Sequence, residues 1–572
     1  MGTLFSALYL GKAGTQVAQV QLDVTGHNIA NINKEGYSRQ RVDLTTRLPN
    51  LMSYGALGRG PMIAGIDRQR EAFLDTVYRQ QVHGLGAAEI SAIYYSRIED
   101  IFQEPGENAF SQRIADFWDA LSDFANNVEA LPARVSLLTE SEAVAASLNE
   151  VARRIRAMQT NANEEIRNTV PEINDIGMQI VALNDIIRRS EAGGRSANDL
   201  RDDRDLLLDK LAKLVPISAI ERDDGQVDVL MGGTQFIAGN RMRQLQVVND
   251  DTINPTRPDF LRVEFADDGT LLAVGSGELG GLFNMRDGEL QSLMDRVDEL
   301  ALGLMSSINA IQSQGRGLKE IDISLTSAYA VTDPTVPLND SGLTFEVSDG
   351  TFDVLVFDTS GNVIETLTIP VVASGPPGGQ TTLDDIAAAI NASANLTATV
   401  NGDGTLTIDP GAGVQYSFAN DDANLLTALG VNVLFTGDSA LTMKVSQHLL
   451  NDPTLLSSRF GLDPTETGLN DAAQAMAALR SKAIIDDNTQ SLDDYYQSII
   501  VRVGINARSN AQLLQVEQAF VDDFSRRIQE VSGVSLDEEV TNLLLFQRAF
   551  EASARVISVA DTMLETLINL GR

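Results

Sequence analysis

The chain has 572 residues, 43% of them hydrophobic and 21% charged, with a formal net charge of −36 and no cysteine. That length predicts several domains with ample material for cores, and the missing cysteine excludes disulfides, thiol catalysis and thiolate metal sites. The acidic balance argues against a phosphate-backbone partner, which clustered Lys and Arg would have to neutralise, so nucleic acid is not expected.

The chain opens on an amphipathic helix. Leu10, Ala13, Val17, Val20 and Val24 recur at alternating three- and four-residue spacing, the pattern of a coiled-coil seam. Between Met1 and Ala30 the only full charges are Lys12 and Asp23, so the remaining surface is Gln, Thr, Ser, Gly and Ala. Such a helix is expected to be covered all round, by the chain's own C-terminus and by neighbouring subunits. Lys12 and several polar residues interrupt what a secretory leader would keep apolar, so no cleaved leader is expected. No apolar run reaches the roughly 18 residues of a membrane span.

From His27 to Tyr37, Asn and Gly end the helical pattern and turn the chain. Ser38 to Leu48 reads as extended and Leu51 to Ile66 as a glycine-rich loop. Helix signals dominate from Gln69 to Leu214, with Trp118, Leu121 and Phe124 on one face, Pro132 at a helix start and Pro171 at a kink or break. Gly193-Gly194 opens a turn before another helix over Ser196 to Leu214. From Ile217 to Val274 the period switches to two, with turns at Asp224-Gly225, Gly232-Gly233 and Asp268-Gly269. A long helix follows Gly281, with Leu290, Leu293, Val297, Leu300 and Leu304 in register.

Between Glu320 and Met443 there is no Lys or Arg, while Asp and Glu recur throughout. So sharp a shift marks a domain boundary and a solvated outer module. Hairpins are expected where Val354–Phe357 meets Val363–Ile369 and where Leu396–Val400 meets Leu406–Ile408. A helix from Leu383 to Ile390 follows Thr382, with Asp385 completing a capping box. A calcium loop would need D-x-D-x-D-G with a distal Glu, which is missing. From Ser491 to Leu570 two long helices are broken at Ser532-Gly533. The last carries Val540, Leu543, Phe550, Ala554, Ile557, Leu564 and Ile568 as a second seam, interrupted by Gln547 and Asp561.

The expected fold is therefore a mixed α and β multidomain chain. It has a long-helix bundle with paired N- and C-terminal coiled-coil helices, small β subdomains and a β-rich outer insert. Residues 1–50 and 531–572 form a terminal polymerisation domain. Residues 51–215, 279–319 and 441–530 form a helical rod, 216–278 a β subdomain, and 320–440 the acidic outer insert.

The usual sequence signatures of catalytic chemistry are missing. His27, His83 and His448 are far apart and form no H-x-x-x-H pattern, and neither a G-x-S-x-G elbow nor a Walker A loop is present. Gly275 to Gly280 spells G-x-G-x-x-G between a strand-like stretch and a helix, but no second parallel strand follows, so a plain glycine turn explains it. Asp202, Asp203 and Asp205 interleave with Arg201 and Arg204, reading as an exposed salt-bridged face whose pairs contribute about 0.2–1 kcal/mol each. No catalytic, cofactor or metal site is expected, and the chain does not read as an enzyme.

A family resemblance rests on Asn28-Ile29-Ala30-Asn31 followed by Gly36-Tyr37-Ser38-Arg39-Gln40. These residues resemble the N-terminal motif of flagellar rod, hook and hook-associated proteins, and the Gly-Tyr-Ser-Arg-Gln form is most similar to the FlgK family of hook-associated proteins. Further matches follow in order: Ile66-Asp67-Arg68 with Phe73-Leu74 and Arg79, Asn198 to Leu207, Gly277 to Leu282, and Gly533 to Glu539 with Phe546 to Phe550 and Ser553 to Arg555. Only about residues 320–440 fall outside, apart from a module-like stretch from Thr382 to Asn391. Pro61 and Phe550 depart slightly from the family pattern.

The resemblance implies export by the flagellar type III apparatus to the cell exterior and incorporation as a ring at the hook–filament junction. The implied partners are further copies of the chain, the hook protein, the second junction protein, and an export chaperone on the C-terminal helix. Leu10, Val17, Val20, Val24, Val540, Leu543, Phe550, Ile557 and Leu564 are the expected assembly residues. Asn28, Asn31, Gly36, Tyr37, Arg39 and Gln40 carry the motif. Rival readings are another axial protein (the second junction protein or a hook protein), an adhesin-like role added by the insert, and an enzyme with its site in the insert or at the glycine turn.

Overall fold

A computed structural model describes residues 2–52, 55–102, 106, 109–250, 252–254, 257, 259–376, 378–461, 469–486 and 488–570. Helix α1 (Gly2–Ala30) leads into a two-stranded ribbon, β1 (Gln40–Thr46) against β4 (Pro61–Arg68). A short hairpin, β2 (Asn50–Met52) with β3 (Gly55–Leu57), lies at its far end. The stretch expected to be a glycine-rich loop is thus mostly β structure. Gly55 and Gly60 hold positive φ angles of 138° and 85°, which suit turns, while Met62-Ile63 and Ile66 pair across the ribbon with Thr45, Leu44 and Val42.

The helices that follow are α2 (Ala72–Phe102), α3 (Phe110–Asn126), α4 (Leu131–Glu191) and α5 (Asn198–Leu214). Helix α4 continues through Pro171, where the sequence predicts a kink or break. Proline there removes one backbone hydrogen bond at a cost of about 3 kcal/mol. Ala162, Ile166, Val170, Ile173, Ile180 and Ile187 are all buried along the same face. At roughly 1.5–3 kcal/mol per large apolar side chain, that stripe outweighs the lost bond.

The chain divides into two compact units. The first holds Met1–Tyr94, Asn161–Asp287 and Arg508–Arg572. Its β subdomain is a four-stranded antiparallel meander, β5 (Ile217–Glu221), β6 (Val227–Met231), β7 (Thr234–Ala238) and β8 (Arg241–Met242), followed by a hairpin of β9 (Leu245–Asn249) and β10 (Leu261–Phe265). Three asparagines about three turns apart on α4 dock it. Asn163 bonds Leu261 N and Asp259 O, Asn174 bonds both backbone groups of Leu245, and Asn184 bonds Val227 N and O and Gly239 O. Each amide thus satisfies backbone groups that the sheets leave unpaired.

The G-x-G-x-x-G stretch opens α6 (Gly277–Phe283), which passes through a π-helical turn (Asn284–Glu289) into α7 (Leu290–Gln312). Gly277 has φ +76°, and a Cβ there would lie 2.7 Å from the Leu214 carbonyl oxygen. The glycine therefore serves close packing against the end of α5.

The second unit holds Tyr95–Thr160 and Gly288–Ala507. Phe117, Trp118, Leu121 and Phe124 of α3 are fully buried, as are Leu290, Leu300 and Leu304 of α7. The acid-only stretch supplies β11 (Leu325–Thr326), β12 (Gly350–Asp358), β13 (Val363–Val371), α8 (Leu383–Ile390), β14 (Leu396–Val400), β15 (Leu406–Pro410) and β16 (Val414–Ala419). They form two three-stranded sheets, ordered β13-β12-β16 and β11-β15-β14. Thr382 and Asp385 cap α8 reciprocally. Beyond them come α9 (Leu425–Leu429), the paired β17 (Phe435–Thr436) and β18 (Lys444–Val445), α10 (Gln447–Asn451) and α11 (Asp471–Ala478). Asn309 of α7 ties this region down through Leu434 N and both backbone groups of Phe435. Two helices, α12 (Leu492–Ser532) and α13 (Leu536–Leu570), complete the chain.

His448 makes this unit acid-sensitive. Its Nδ1 lies 2.8 Å from Ser446 Oγ and its Nε2 3.4 Å from Asn432 Oδ1, and burial lowers its pKa from 6.5 to about 4. The fold holds the neutral ring, so its contribution is full above the unfolded pKa and is lost as pH falls through 6.5 towards 4. Urea titrations should show about 2 kcal/mol less stability at pH 5 than at pH 7 from this residue, and His448→Gln should remove that increment.

Candidate functional site

The two ends of the chain lie side by side. α1 and α13 run antiparallel, with Gly11 beside Ile557, Gly14 beside Ser553, and Asn28 bonded to Glu539. Small residues permit the approach: a Cβ on Gly11 would lie 2.6 Å from Ile557 Cγ1, and one on Gly14 2.4 Å from Ser553 Oγ. Of the seam residues read from sequence, Ala13, Val17 and Val24 are buried, and Val20, Leu543, Ala554, Ile557 and Leu564 are half-buried.

Leu10, Val540, Phe550 and Ile568 are more exposed in the single chain, at 45%, 45%, 38% and 62%. The side of α13 turned inward carries Glu539, Leu543, Phe546, Ser553, Ile557, Ala560 and Leu564. The sequence stripe is one face of α13, and its covering by α1 is incomplete in the single chain. Val540, Leu544, Val556, Val559, Met563 and Leu567 remain exposed in the single chain, forming a second apolar stripe of the kind that marks an interaction surface.

The motif residues build a clasp at the end of α1. Asn28 is buried and uses its whole amide: Nδ2 donates to Gln40 O (3.0 Å) and Glu539 Oε2 (3.1 Å), while Oδ1 accepts from Gln40 N (3.0 Å) and Tyr37 Oη (2.8 Å). Glu539, 1% exposed, is neutralised by Arg39, whose Nε and Nη2 approach Oε1 at 2.8 and 2.7 Å; Arg39 Nη1 also reaches Glu538. Arg39 N donates to Ser532 O, fixing the corner between α12 and α13.

Asn31 donates to His27 O and closes the last turn of α1. Gly36, at φ +75°, makes the reversal that returns Tyr37 to Asn28. The Tyr37 hydroxyl is held protonated, its pKa raised by burial and by the nearby charges of Asp199, Asp202 and Glu539, so it stays a donor. Gln40 reaches Asp199 through its side-chain amide.

A buried ionic network underlies the clasp. Ser38 N and Oγ donate to Asp202, which also binds Arg68 at 2.9 Å. Arg68 reaches Asp205 at 2.7 Å, Arg70 binds Asp75, and Arg79 binds Asp209, both at 2.7 Å. Asp205 is buried, which opposes ionisation, yet Arg70, Arg68, Arg79 and Arg204 outweigh burial and hold its pKa below the usual value. Burial prevails at Asp202 and Asp209 and pushes theirs up. The sequence reading of Asp202 and Asp205 with Arg204 as an exposed face is corrected: all three are buried, because β4 and α2 lay Arg68, Arg70 and Arg79 over α5. Glu539 and the glycine approach of α1 were likewise not singled out; the paired Glu538-Glu539 in the first turn of α13 was the available signal.

Among the described residues no three His, Asp or Glu side chains are grouped to hold a metal, and no helix is long and apolar enough to cross a membrane.

The comparisons relate a chain with its ends paired in this way to flagellar axial proteins. Residues 527–570 match the family model "Flagellar basal body rod FlgEFG protein C-terminal", and residues 95–323 match "Flagellar hook-associated protein FlgK helical domain". Flagellar hook-associated protein 1 of Salmonella typhimurium is 26% identical over 98% of both chains. That of Bacillus subtilis is 25% identical over 100% of this chain and 99% of its own. The solved flagellar hook junction protein FlgK from Burkholderia pseudomallei shares the fold, with a TM-score of 0.50 and 17% identity over 81% of this chain and 100% of its own. Along nearly its whole length the chain is thus similar to flagellar hook-associated protein 1, a structural protein of the flagellum, and it carries the FlgK helical domain over residues 95–323.

Two substitutions test the site. Arg39→Ala leaves Glu539 buried without its cation, and breaking such a pair costs about 3–5 kcal/mol. Hydrogen exchange along α13 should accelerate accordingly, with the second unit unchanged. Gly11→Val overpacks the helix pair by about 1–3 kcal/mol and should expose the first turns of α1 to protease.

Proposed function

We propose that this chain forms the ring that joins hook to filament in the bacterial flagellum. The carrying observation is the pairing of α1 with α13 by the motif clasp while a second apolar stripe on α13 stays exposed. The full-length likeness to hook-associated protein 1 supports the same reading. Subunits assemble as their terminal helices bury this stripe in one another as a coiled-coil layer, with the hook protein on one side and the second junction protein on the other. Isolated helices of this kind are marginal in water and order fully when neighbours cover them. Before export the same stripe needs a chaperone, which binds α13. The mature protein is extracellular, and the acidic insert over 320–440 faces outward, where water and salt screen its charge over about 8–10 Å.

A second reading, another axial protein such as a hook or rod component, draws on the rod-protein match at the C-terminus and on the 24% identity over 178 residues with basal-body rod protein FlgG of Bacillus subtilis. Gene deletion separates the two. Loss of the junction should leave hooks intact while filament protein is shed into the medium, and expression of the full chain should restore attached filaments. Cells lacking hooks would favour the second reading. A chain without residues 1–30 should keep its folded middle, seen as a retained cooperative melt, and fail to restore motility.

A further inference from the structure

One side of α7 in the second unit borders a groove that the fold leaves open. Asp295, Asp298, Glu299 and Leu302 stand at positions i, i+3, i+4 and i+7, so they share one face of the helix. Gly303 lets the segment at Ile484-Ile485 approach closely, since a Cβ there would lie 2.5 Å from Ile485 Cγ1. The groove between them holds about 510 Å³. Its charged lining is Asp295, Asp298, Glu299 and Asp486, without a Lys or Arg, and the other lining side chains are apolar, small or hydroxylated. The four acids bond neutral partners: Gln291, the Ala440 N–H, Tyr495, and Thr489 with Gln490. Burial and the nearby charges of Asp295 and Asp438 push the Asp298 pKa up, so negative charge is crowded here without a cation to offset it.

The first unit carries the opposite combination. Leu48 and Leu51, at the far end of the β1–β4 ribbon, are 84% and 87% exposed, the two most exposed large apolar side chains among the described residues. Between Asp43 and Asp67 the only charged residues are Arg47 and Arg59, so this arm has no acid in a chain of net charge −36. Arg47 and Arg59 flank the neck of the β2–β3 hairpin, where Arg47 N donates to Gly60 O. Among the described residues neither arginine is in a salt bridge. Exposed leucines with unpaired cations thus face, in chemical terms, a groove with apolar walls and unpaired acids. In such an interface apolar burial supplies affinity, and the opposed charges supply orientation and reject wrong partners.

We infer that the Leu48–Leu51 arm of one copy docks into the Leu302–Ile484 groove of a neighbouring copy, with Arg47 and Arg59 meeting its acids. A contact between two different surfaces repeats from copy to copy into a ring or helix. This rests on the proposed ring assembly and names one of its contacts. The cysteine-free chain allows a direct test with the full-length protein in flagellated cells lacking the native gene. Leu51→Cys with Ser306→Cys should give disulfide-linked dimers and higher ladders on non-reducing gels of isolated hooks, with each single variant giving none. Arg47→Glu with Arg59→Glu should leave the thermal melt of the purified chain unchanged and lower its recovery on hooks about tenfold. Adding Asp295→Arg with Glu299→Arg, which exchanges the two charges, should restore recovery. A disulfide closed within one chain, incorporation of the cysteine pair without cross-linking under oxidation, or undiminished recovery of the glutamate variant would overturn the inference while leaving the junction role intact. Attached filaments in the deletion cells themselves would instead overturn the junction role.

Discussion

The carboxylate of Glu539 is the group on which the arrangement of the chain ends depends. It is buried at the start of α13, and a buried charge is tolerated only when paired and hydrogen-bonded. Arg39 supplies the pairing and Asn28 the second oxygen's bond, so α1, the loop after it and α13 are held to a single geometry. Because Asn28 has no spare donor or acceptor, neither the position of Gln40 nor that of Tyr37 is free to drift. The motif is thus a set of mutually dependent bonds.

The network beneath extends that geometry into the first unit. Ser38 is linked to Asp202, and Asp202 through Arg68 to Asp205, so the loop is fastened to α5 and α5 to the ribbon. Removing one partner from such a network leaves a buried charge, whereas exposed pairs such as Arg154 with Glu150 contribute little. Burial separates the two kinds, and burial is a property of the fold.

That distinction explains what could be read from sequence. Local signals were legible: the Thr382–Asp385 capping box, the break near Ser532-Gly533 and the alternation of the acidic strands each depend on neighbours a few residues apart. The amphipathic character of α1 and α13 was also legible, and so was the motif. The register of α13 against α1 was not, since it is set by the glycine approach at Gly11 and Gly14 and by the bonds to Glu539, contacts between the two ends of the chain. The partners of Asp202 and Asp205 come from Arg68 and Arg79, more than a hundred residues away, beyond any spacing rule. The continuity of α4 through Pro171 reflects packing along its buried stripe, which outweighs a local preference.

The bond from Asn28 to Glu539 spans 511 positions of sequence. Closing a loop of that size carries a large entropic cost, though one that grows only slowly with length. It also cannot begin until the last helix has emerged from the ribosome. The core of the first unit shares this dependence, since Val82 and Leu85 pack on Val521 of α12. A copy that has lost its last helix therefore leaves Asn28 and Arg39 without the carboxylate that joins them, so the clasp is a mark of an intact chain.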